Sequence, residues 1–309
     1  MKPMVQATGF HRGQRVSAAD IEDARQMCPV CHSSLPRRPV FRVQRDPDID
    51  MLQCTACGAA SASHMPKPEV LANYYAGYYS GAALRHTLDK PERFARHALH
   101  AMPDLYGSKS LRILDFGGGD GSLAIAIAKS LQSRGNSASI ITIDVVDYSE
   151  PRRVEDPRIR ITAHQNLTTV EGGHGLILAS AIFEHIPDAH TAIRQVIACA
   201  GKGAYMYART PFVLPLTRVM RSLDITYPGH VHDMGSVFWD QFMDTFGIKG
   251  KMLSSRPSIV ETTFASAPVR TFLAYVLKAP ALLEQALVRR NRPPRWNLVG
   301  GWEAVMRFE

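Results

Sequence analysis

A glycine-rich turn carries the first chemical signal in this sequence. The stretch ILDFGGGDGSL, residues 113–123, places four glycines and two aspartates among apolar residues. Glycine is costly inside regular structure, so this spacing indicates backbone that a ligand approaches closely. A phosphate-binding P-loop needs a Lys-Ser/Thr pair after its last glycine, and this turn has none. The nucleotide fingerprint G-x-G-x-x-G/A fits only weakly, on Gly119, Gly121 and Ala124.

Two acids near the turn indicate what kind of ligand it holds. Asp115 stands two residues before Gly117, where a carboxylate suits a cationic amino or sulfonium group and opposes a pyrophosphate. Asp144, at the predicted end of the next strand, can accept hydrogen bonds from two ribose hydroxyls. The pattern therefore favours a ligand that combines a positive charge with a ribose.

A strand, a helix and a second strand must position these side chains. The run LRILDF is short and apolar, as in a buried parallel strand. SLAIAIAKSL is typical of a mostly buried helix, and SIITIDVVD follows as the next strand. This order predicts a βαβ unit, which binds its ligands at the carboxyl edge of the sheet.

Four of the five cysteines form two CxxC pairs, Cys28/Cys31 and Cys54/Cys57. Two residues between thiolates let both sulfurs face one tetrahedral ion. The segment between the pairs is longer than usual for such sites, but its sequence RRPVFRVQRDPDIDMLQ can form a hairpin. We predict a structural zinc site with four thiolates and no open coordination position; an iron site, a redox dithiol or two disulfides are the alternatives. Cys199 lies alone in an apolar stretch and is expected to be a small buried residue.

Length and charge limit the possible functions. The 309 residues, 45% hydrophobic and 21% charged, are typical of a globular protein with one large domain or two smaller ones. The formal net charge of +8 favours an anionic partner: nucleic acid, a lipid headgroup or an acidic small molecule. No apolar run predicts a transmembrane segment and the N-terminus lacks the apolar core of a secretory signal, so we expect a cytoplasmic protein.

The C-terminal region offers one candidate contact with a membrane. PALLEQALVRR is predicted to form an amphipathic helix. The basic run VRRNRPPRW, which begins within it, is either a solvated face or a contact with an anion, with the headgroups of a membrane surface or with RNA. The sequence therefore leaves a peripheral membrane contact open.

Three segments together, ILDFGGGDGSL, ITIDVVD and LILASAIFEHIPD, resemble the class I S-adenosylmethionine-dependent methyltransferases, over roughly residues 108 to 210. The resemblance implies a Rossmann-like α/β fold with three αβα layers around a seven-stranded sheet, in which WEAVMRF would be the antiparallel strand. The predicted organisation is a four-cysteine zinc-ribbon-like unit at 1–66, a connecting helical segment at 67–107 and the methyltransferase domain at 108–309. The residues expected to bind S-adenosylmethionine are Asp115, Phe116, Gly117, Gly118, Gly119, Gly121, Asp144, Val145, Asn166 and Ser180.

One position departs from the family pattern. The family often has a Gly-Asp pair after its third strand, with the Asp near the adenine amino group. Here RIRITAHQNLTTV offers Gln165 or Asn166 instead. Either amide can pair with adenine, and Asn166 is the residue we expect to do so.

Three histidines, His185, His230 and His232, are the candidates for a catalytic base. Methyl transfer from a sulfonium is an in-line displacement, so the enzyme mainly aligns the nucleophile and excludes water. A hydroxyl acceptor also needs a base, most often histidine. His185 lies in FEHIPD, just past the fourth strand, whereas His230 and His232 lie where related enzymes place substrate-facing histidines. The alternative for each of the three is a purely structural role. The tyrosines of residues 73–79 either form a packing stripe or supply a hydroxyl from a lid.

The function predicted from these features is S-adenosylmethionine-dependent methyl transfer to a small molecule or to a sugar of a glycan or glycolipid. The order of cysteine pairs, PKPEVLANYYAGYYS and methyltransferase core resembles a group of bacterial enzymes with such substrates. The alternatives are a ribosomal RNA guanine methyltransferase with a zinc-ribbon RNA-binding unit, a non-catalytic zinc-ribbon interaction protein on a methyltransferase-like fold, and a nicotinamide dehydrogenase. Because the basic residues are scattered, we expect no nucleic-acid partner; the acceptor atom and the oligomeric state stay open.

Overall fold

The computed structural model describes residues 13–79, 90–135, 139–219, 226–287 and 294–309, which form two sheets and six helices. The strands are β1 (Arg37–Gln44), β2 (Ile49–Cys54), β3 (Ala60–Ala62), β4 (Ser110–Phe116), β5 (Ile140–Val146), β6 (Ile159–His164), β7 (His174–Ser180), β8 (Ala200–Phe212), β9 (His232–Asp233), β10 (Gly250–Pro257) and β11 (Gly300–Phe308). The helices are α1 (Pro68–Tyr79), α2 (Pro91–His100), α3 (Ser122–Arg134), α4 (Ala189–Ala198), α5 (Ser236–Phe246) and α6 (Pro268–Leu287).

The large sheet has seven strands in the order β6–β5–β4–β7–β8–β11–β10. The first five are parallel to one another, and β11 runs antiparallel to both of its neighbours. Strands β4 and β7 are parallel neighbours at the centre of the sheet. From β4 the chain adds β5 and β6 on one side, and from β7 it adds β8 on the other. Ligands of such sheets bind at this point, at the carboxyl ends of the strands.

Helices cover both faces of the large sheet. Helices α2 and α3 pack with one set of buried side chains from β4, β5 and β7. Helices α4 and α5 pack with the alternate side chains of the same strands, because successive side chains of a strand point to opposite faces. The predicted Rossmann-like fold of three layers is therefore confirmed, including WEAVMRF as its antiparallel strand.

Local sequence explains where the central elements begin and end. Helix α3 starts after Gly121, whose φ of 73° lies in the left-handed region that glycine adopts without strain. Helix α5 buries Phe238, Phe242 and Phe246, which recur every fourth residue on one face, and ends at Gly247 in the left-handed conformation.

The small sheet joins the N-terminal unit to the rest of the chain. It has the order β1–β2–β3–β9, and the predicted hairpin forms its first two strands. Strand β9 lies far along the chain, yet Ser61 of β3 pairs with His232 and Ala60 with Asp233. The predicted unit at residues 1–66 thus shares its sheet with residues of the predicted methyltransferase domain.

The helix predicted in PALLEQALVRR is longer and begins earlier than expected. Helix α6 starts at Pro268 and contains Pro280 in its interior, and its described part ends at Leu287. The end of the predicted segment, residues 288–290, lies outside the described residues. None of the helices in the described ranges is long and apolar enough to cross a membrane.

Candidate active site and cysteine cluster

The glycine turn between β4 and α3 is a cradle of backbone. Gly117, Gly119 and Gly121 have φ values of 69°, 58° and 73°, which side chains other than glycine rarely adopt. A Cβ atom on Gly117 would lie 2.5 Å from Ile182, whereas one on Gly119 would meet no atom within 4 Å. The turn therefore packs tightly against the protein at Gly117 and leaves open space at Gly119, where a ligand at the carboxyl edge can approach the backbone.

Asp115 lies beneath this turn rather than on its surface. Its side chain is buried, and a Cβ on Gly118 would lie 2.5 Å from its carboxyl carbon. Burial, with the nearby charge of Asp147, raises the pKa of Asp115 to about 7. Oxygen Oδ2 has no hydrogen-bond partner among the described residues. A buried carboxyl with an unused acceptor is stabilised by a cationic group, so this position fits the predicted role.

Asp144 does not lie at the end of its strand, and this part of the sequence prediction is wrong. Strand β5 continues for two more residues to Val146, and Asp144 pairs with Leu114 of β4. Its two carboxylate oxygens lie 3.0 Å from His164 Nε2 and 2.8 Å from His174 Nε2. Burial opposes ionisation here, but these two imidazoles lower the pKa of Asp144. Its oxygens thus contact two imidazoles rather than the glycine turn.

Asp147, which sequence reasoning missed, follows directly after β5. Its Oδ2 accepts a hydrogen bond from the N–H of Gly119 at 2.9 Å, and its Oδ1 accepts one from the N–H of Ser149. The carboxylate therefore touches the glycine turn at the carboxyl edge of the sheet. In the sequence, Asp147 is the second aspartate of IDVVD, three residues after Asp144, and this position at the end of the apolar run is the signal that could have identified it.

The remaining predicted cofactor residues lie at the same edge with different degrees of access. Val145 is buried beneath Gly121, and Phe116 is nearly buried with its ring centroid 6.0 Å from that of Phe183. Ser180 ends β7 and accepts a hydrogen bond from Arg209 Nε at 3.2 Å. Asn166 is exposed, and its side-chain oxygen accepts the N–H of Thr168.

His185 stands over the end of β7 in a defined tautomer. Its Nδ1 lies 2.7 Å from the carbonyl oxygen of Gly229, which only accepts hydrogen bonds, so Nδ1 carries a proton. The hydroxyl of Tyr75 lies 2.9 Å from the same nitrogen and also donates to Gly229. Nε2 is therefore the atom with the lone pair. One of the predicted helix tyrosines thus contacts a predicted catalytic histidine.

Glu184 completes this group and was also missed by sequence reasoning. It is 1% exposed, and burial raises its pKa to about 8. Its Oε1 lies 3.8 Å from His185 Nε2, and its Oε2 has no hydrogen-bond partner within the described ranges. One ligand atom each from Glu184, His185 and His230 lie within 4.8 Å of one another. Such a group can hold a metal ion or pass a proton.

His232, the third predicted base, is structural. Its Nδ1 lies 2.8 Å from Ser61 Oγ and its Nε2 lies 2.8 Å from the carbonyl oxygen of Ile186, so Nε2 donates and Nδ1 accepts. Burial lowers its pKa to about 4. With both ring nitrogens engaged, His232 ties β9 to the small sheet and cannot act as the base.

The four cysteines of the two CxxC pairs converge. Sulfur–sulfur distances are 3.9 Å for Cys28–Cys57 and 3.7 Å for Cys31–Cys54, and all four sulfurs lie within 4.8 Å of one another. A disulfide requires about 2.05 Å, so the pairs are not bonded. Tetrahedral zinc with Zn–S bonds of about 2.3 Å separates its sulfurs by about 3.8 Å. The cluster therefore fits such an ion.

Comparison with known proteins identifies one family. A model described as "Methyltransferase domain" matches residues 84–247, just over half of the chain. No protein with a curated description matches significantly.

Solved structures of low sequence identity are similar to this chain over more than two thirds of its length. The plantazolicin methyltransferase BpumL, in complex with a triazolic desmethylPZN analog and SAH, is 14% identical, with 78% of this chain and 90% of that chain covered and a TM-score of 0.44. The [4+2]-cyclase SpnF is 13% identical, with 78% and 92% covered and a TM-score of 0.43. A putative sarcosine dimethylglycine methyltransferase from Galdieria sulphuraria is 14% identical, with 70% and 84% covered and a TM-score of 0.39. Likeness of this degree says nothing about substrate.

Proposed function

The chain belongs to the methyltransferase family whose domain it contains and is an S-adenosylmethionine-dependent enzyme; we propose that it methylates a small molecule or a sugar of a glycan or glycolipid, with His185 as the base. One observation carries this proposal: Nδ1 of His185 lies 2.7 Å from the carbonyl oxygen of Gly229, a contact that orients the ring and makes Nε2 its basic nitrogen. A hydroxyl acceptor loses its proton during transfer, and a fixed imidazole lone pair is suited to take it.

The residues at the carboxyl edge fit S-adenosylmethionine. We assign Asp115 to the cationic amino group, the backbone around Gly119 to close approach, and Asp147, in place of Asp144, to the ribose hydroxyls. When bound, S-adenosylmethionine supplies a methyl group on a positively charged sulfur. The protein's part is to hold the acceptor in line with that group and to exclude water.

We assign proton transfer to the group around His185. Burial raises the pKa of Glu184 to about 8, so its carboxyl is protonated at neutral pH. The proton of the acceptor moves to Nε2 of His185, while Gly229 and Tyr75 keep the ring oriented. Nε2 of the resulting imidazolium lies 3.8 Å from Oε1 of Glu184, and its positive charge lowers the pKa of that carboxyl.

We propose zinc as the ion of the cysteine cluster, in a structural role. Cys28, Cys54 and Cys57 are buried, and four thiolates leave no open coordination position. The cluster lies beside β2 and β3, and β3 pairs with the strand that follows His230. Zinc would therefore fix the segment that carries Gly229 and His230.

The test uses His185→Gln and, as the matched control, His100→Gln at an exposed position of α2. Calorimetry should show the same S-adenosylmethionine affinity for both variants and the wild type. Transfer of labelled methyl groups to a panel of sugars, glycolipids and small hydroxylated molecules should fall at least a hundredfold in His185→Gln only, the scale of general base catalysis. Full activity of His185→Gln would rule out His185 as the base. Failure of the wild type to bind S-adenosylmethionine would rule out the proposed function as a whole.

A further inference from the structure

Helix α6 buries three residues, Thr271, Lys278 and Ala281, and two of them are polar. Thr271 is 1% exposed, and its hydroxyl lies 2.7 Å from that of Thr262. Lys278 is 8% exposed, and its ammonium group donates to the carbonyl oxygen and the hydroxyl of Ser258. A helix of a globular protein normally buries its apolar side, so a helix attached through two buried polar side chains is unusual.

The opposite side of α6 is apolar and exposed. Residues three or four positions apart on a helix share one face. Six such side chains, each between 52% and 79% exposed, form what we term the α6 stripe: Val269, Phe272, Leu273, Val276, Leu283 and Leu287. A continuous exposed apolar surface of this kind marks a site of contact with a membrane or another protein.

The charges beside the α6 stripe are positive. Helix α6 contains one acid, Glu284, whose carboxylate accepts the N–H groups of Arg295 and Trp296. Arg270 and Arg295 are exposed. An apolar stripe with basic flanks complements a surface that is both apolar and negative.

We propose that α6 docks this protein onto an anionic membrane surface. The stripe enters the boundary between headgroups and acyl chains, and Arg270 and Arg295 contact the headgroups. A second copy of the chain is the less suitable occupant, because pairing two stripes would bring the basic flanks of two +8 molecules together. The helix lies on the membrane and does not span it, in agreement with its composition.

Vesicle co-sedimentation tests the proposal by comparing aspartate substitutions at two valines of similar exposure. Val276 in the α6 stripe is 52% exposed, and Val237 on α5 is 50% exposed. The full-length wild type should pellet with vesicles of phosphatidylcholine and phosphatidylglycerol, less with phosphatidylcholine alone, and less at high salt. Val276→Asp should weaken the partition at least tenfold, whereas Val237→Asp should leave it unchanged. Melting temperatures and S-adenosylmethionine binding of both variants confirm that they are folded.

Tryptophan fluorescence gives a second measure on the same samples. Trp239 and Trp302 are fully buried, whereas Trp296 is 37% exposed and its indole N–H donates to the carbonyl oxygen of Leu277 in α6. A blue shift on addition of anionic vesicles should therefore report on Trp296. The proposal is overturned if the wild type stays in the supernatant, if Val276→Asp binds as well as the wild type, or if sedimentation equilibrium shows a dimer that Val276→Asp dissociates while vesicles are not bound.

Discussion

The pair Asp147 and Asp144 provides a direct test of the cofactor pocket, because each is an aspartate on or just after β5 and only one faces the glycine turn. Asp147→Asn removes the negative charge from a carboxylate whose Oδ2 already lies 2.9 Å from the N–H of Gly119. Asp144→Asn makes the same chemical change three residues earlier, where both oxygens face imidazoles inside the sheet. The two substitutions should therefore affect different properties.

The expected magnitudes follow from the contacts. A hydrogen bond to a charged group contributes about 1.5–3 kcal/mol, and about 1.4 kcal/mol corresponds to a tenfold change in Kd. Asp147→Asn should therefore weaken S-adenosylmethionine binding about ten- to hundredfold. Asp144→Asn leaves His164 and His174 without a charged partner, so it should lower the free energy of unfolding by about 1–3 kcal/mol. It should change the Kd by no more than about twofold.

Isothermal calorimetry with S-adenosylmethionine measures the first property and urea unfolding the second. Neither measurement needs the identity of the methyl acceptor. The reverse result, with affinity lost in Asp144→Asn and retained in Asp147→Asn, would refute the placement of the ribose at the end of β5.

Two further predictions concern Glu184 and the cysteine cluster. Burial keeps the Glu184 carboxyl protonated up to a pKa of about 8 in the folded protein, whereas the unfolded chain loses that proton above about 4.3, so this group lowers stability as pH rises between these values. Glu184→Gln should therefore melt at a higher temperature than the wild type, by a difference that grows from pH 5 to pH 8; a constant difference would contradict the buried, protonated state. Cys57→Ser should lose bound zinc and lower the melting temperature, while Cys199→Ser, also buried but outside the cluster, should retain zinc by elemental analysis. Equal zinc content in both variants would exclude the four-thiolate site.

Much of the fold could be predicted from local sequence patterns. Apolar runs such as LRILDF and SLAIAIAKSL determine strand and helix directly, because burial requires those periodicities. The glycines of the turn are needed for backbone with positive φ, which no other residue adopts cheaply, so their spacing located the edge of the sheet where a ligand fits. The two CxxC pairs likewise indicated one tetrahedral cluster, and their sulfurs converge.

The functional details depended on which side of a strand or loop a residue occupies. Asp144 and Asp147 lie three positions apart in one acidic, apolar segment, and a strand end cannot be located that closely from sequence. His230 and His232 lie two positions apart, yet the first packs its ring 4.6 Å from that of His185 while the second bonds to Ser61 and Ile186. Glu184 reads as an ordinary polar residue until its complete burial is known.

The βαβ order, the glycine cradle and the cysteine pairs could be predicted from local sequence, because each depends on residues close together in the chain. The folded structure was needed to show which acid meets the turn, which hydrogen bonds orient each histidine, and that α6 exposes its apolar side. These depend on contacts between distant segments, such as β3 with β9 and α6 with Ser258. Burial and hydrogen-bond partners set the chemistry of a side chain, and neither is defined until those segments meet.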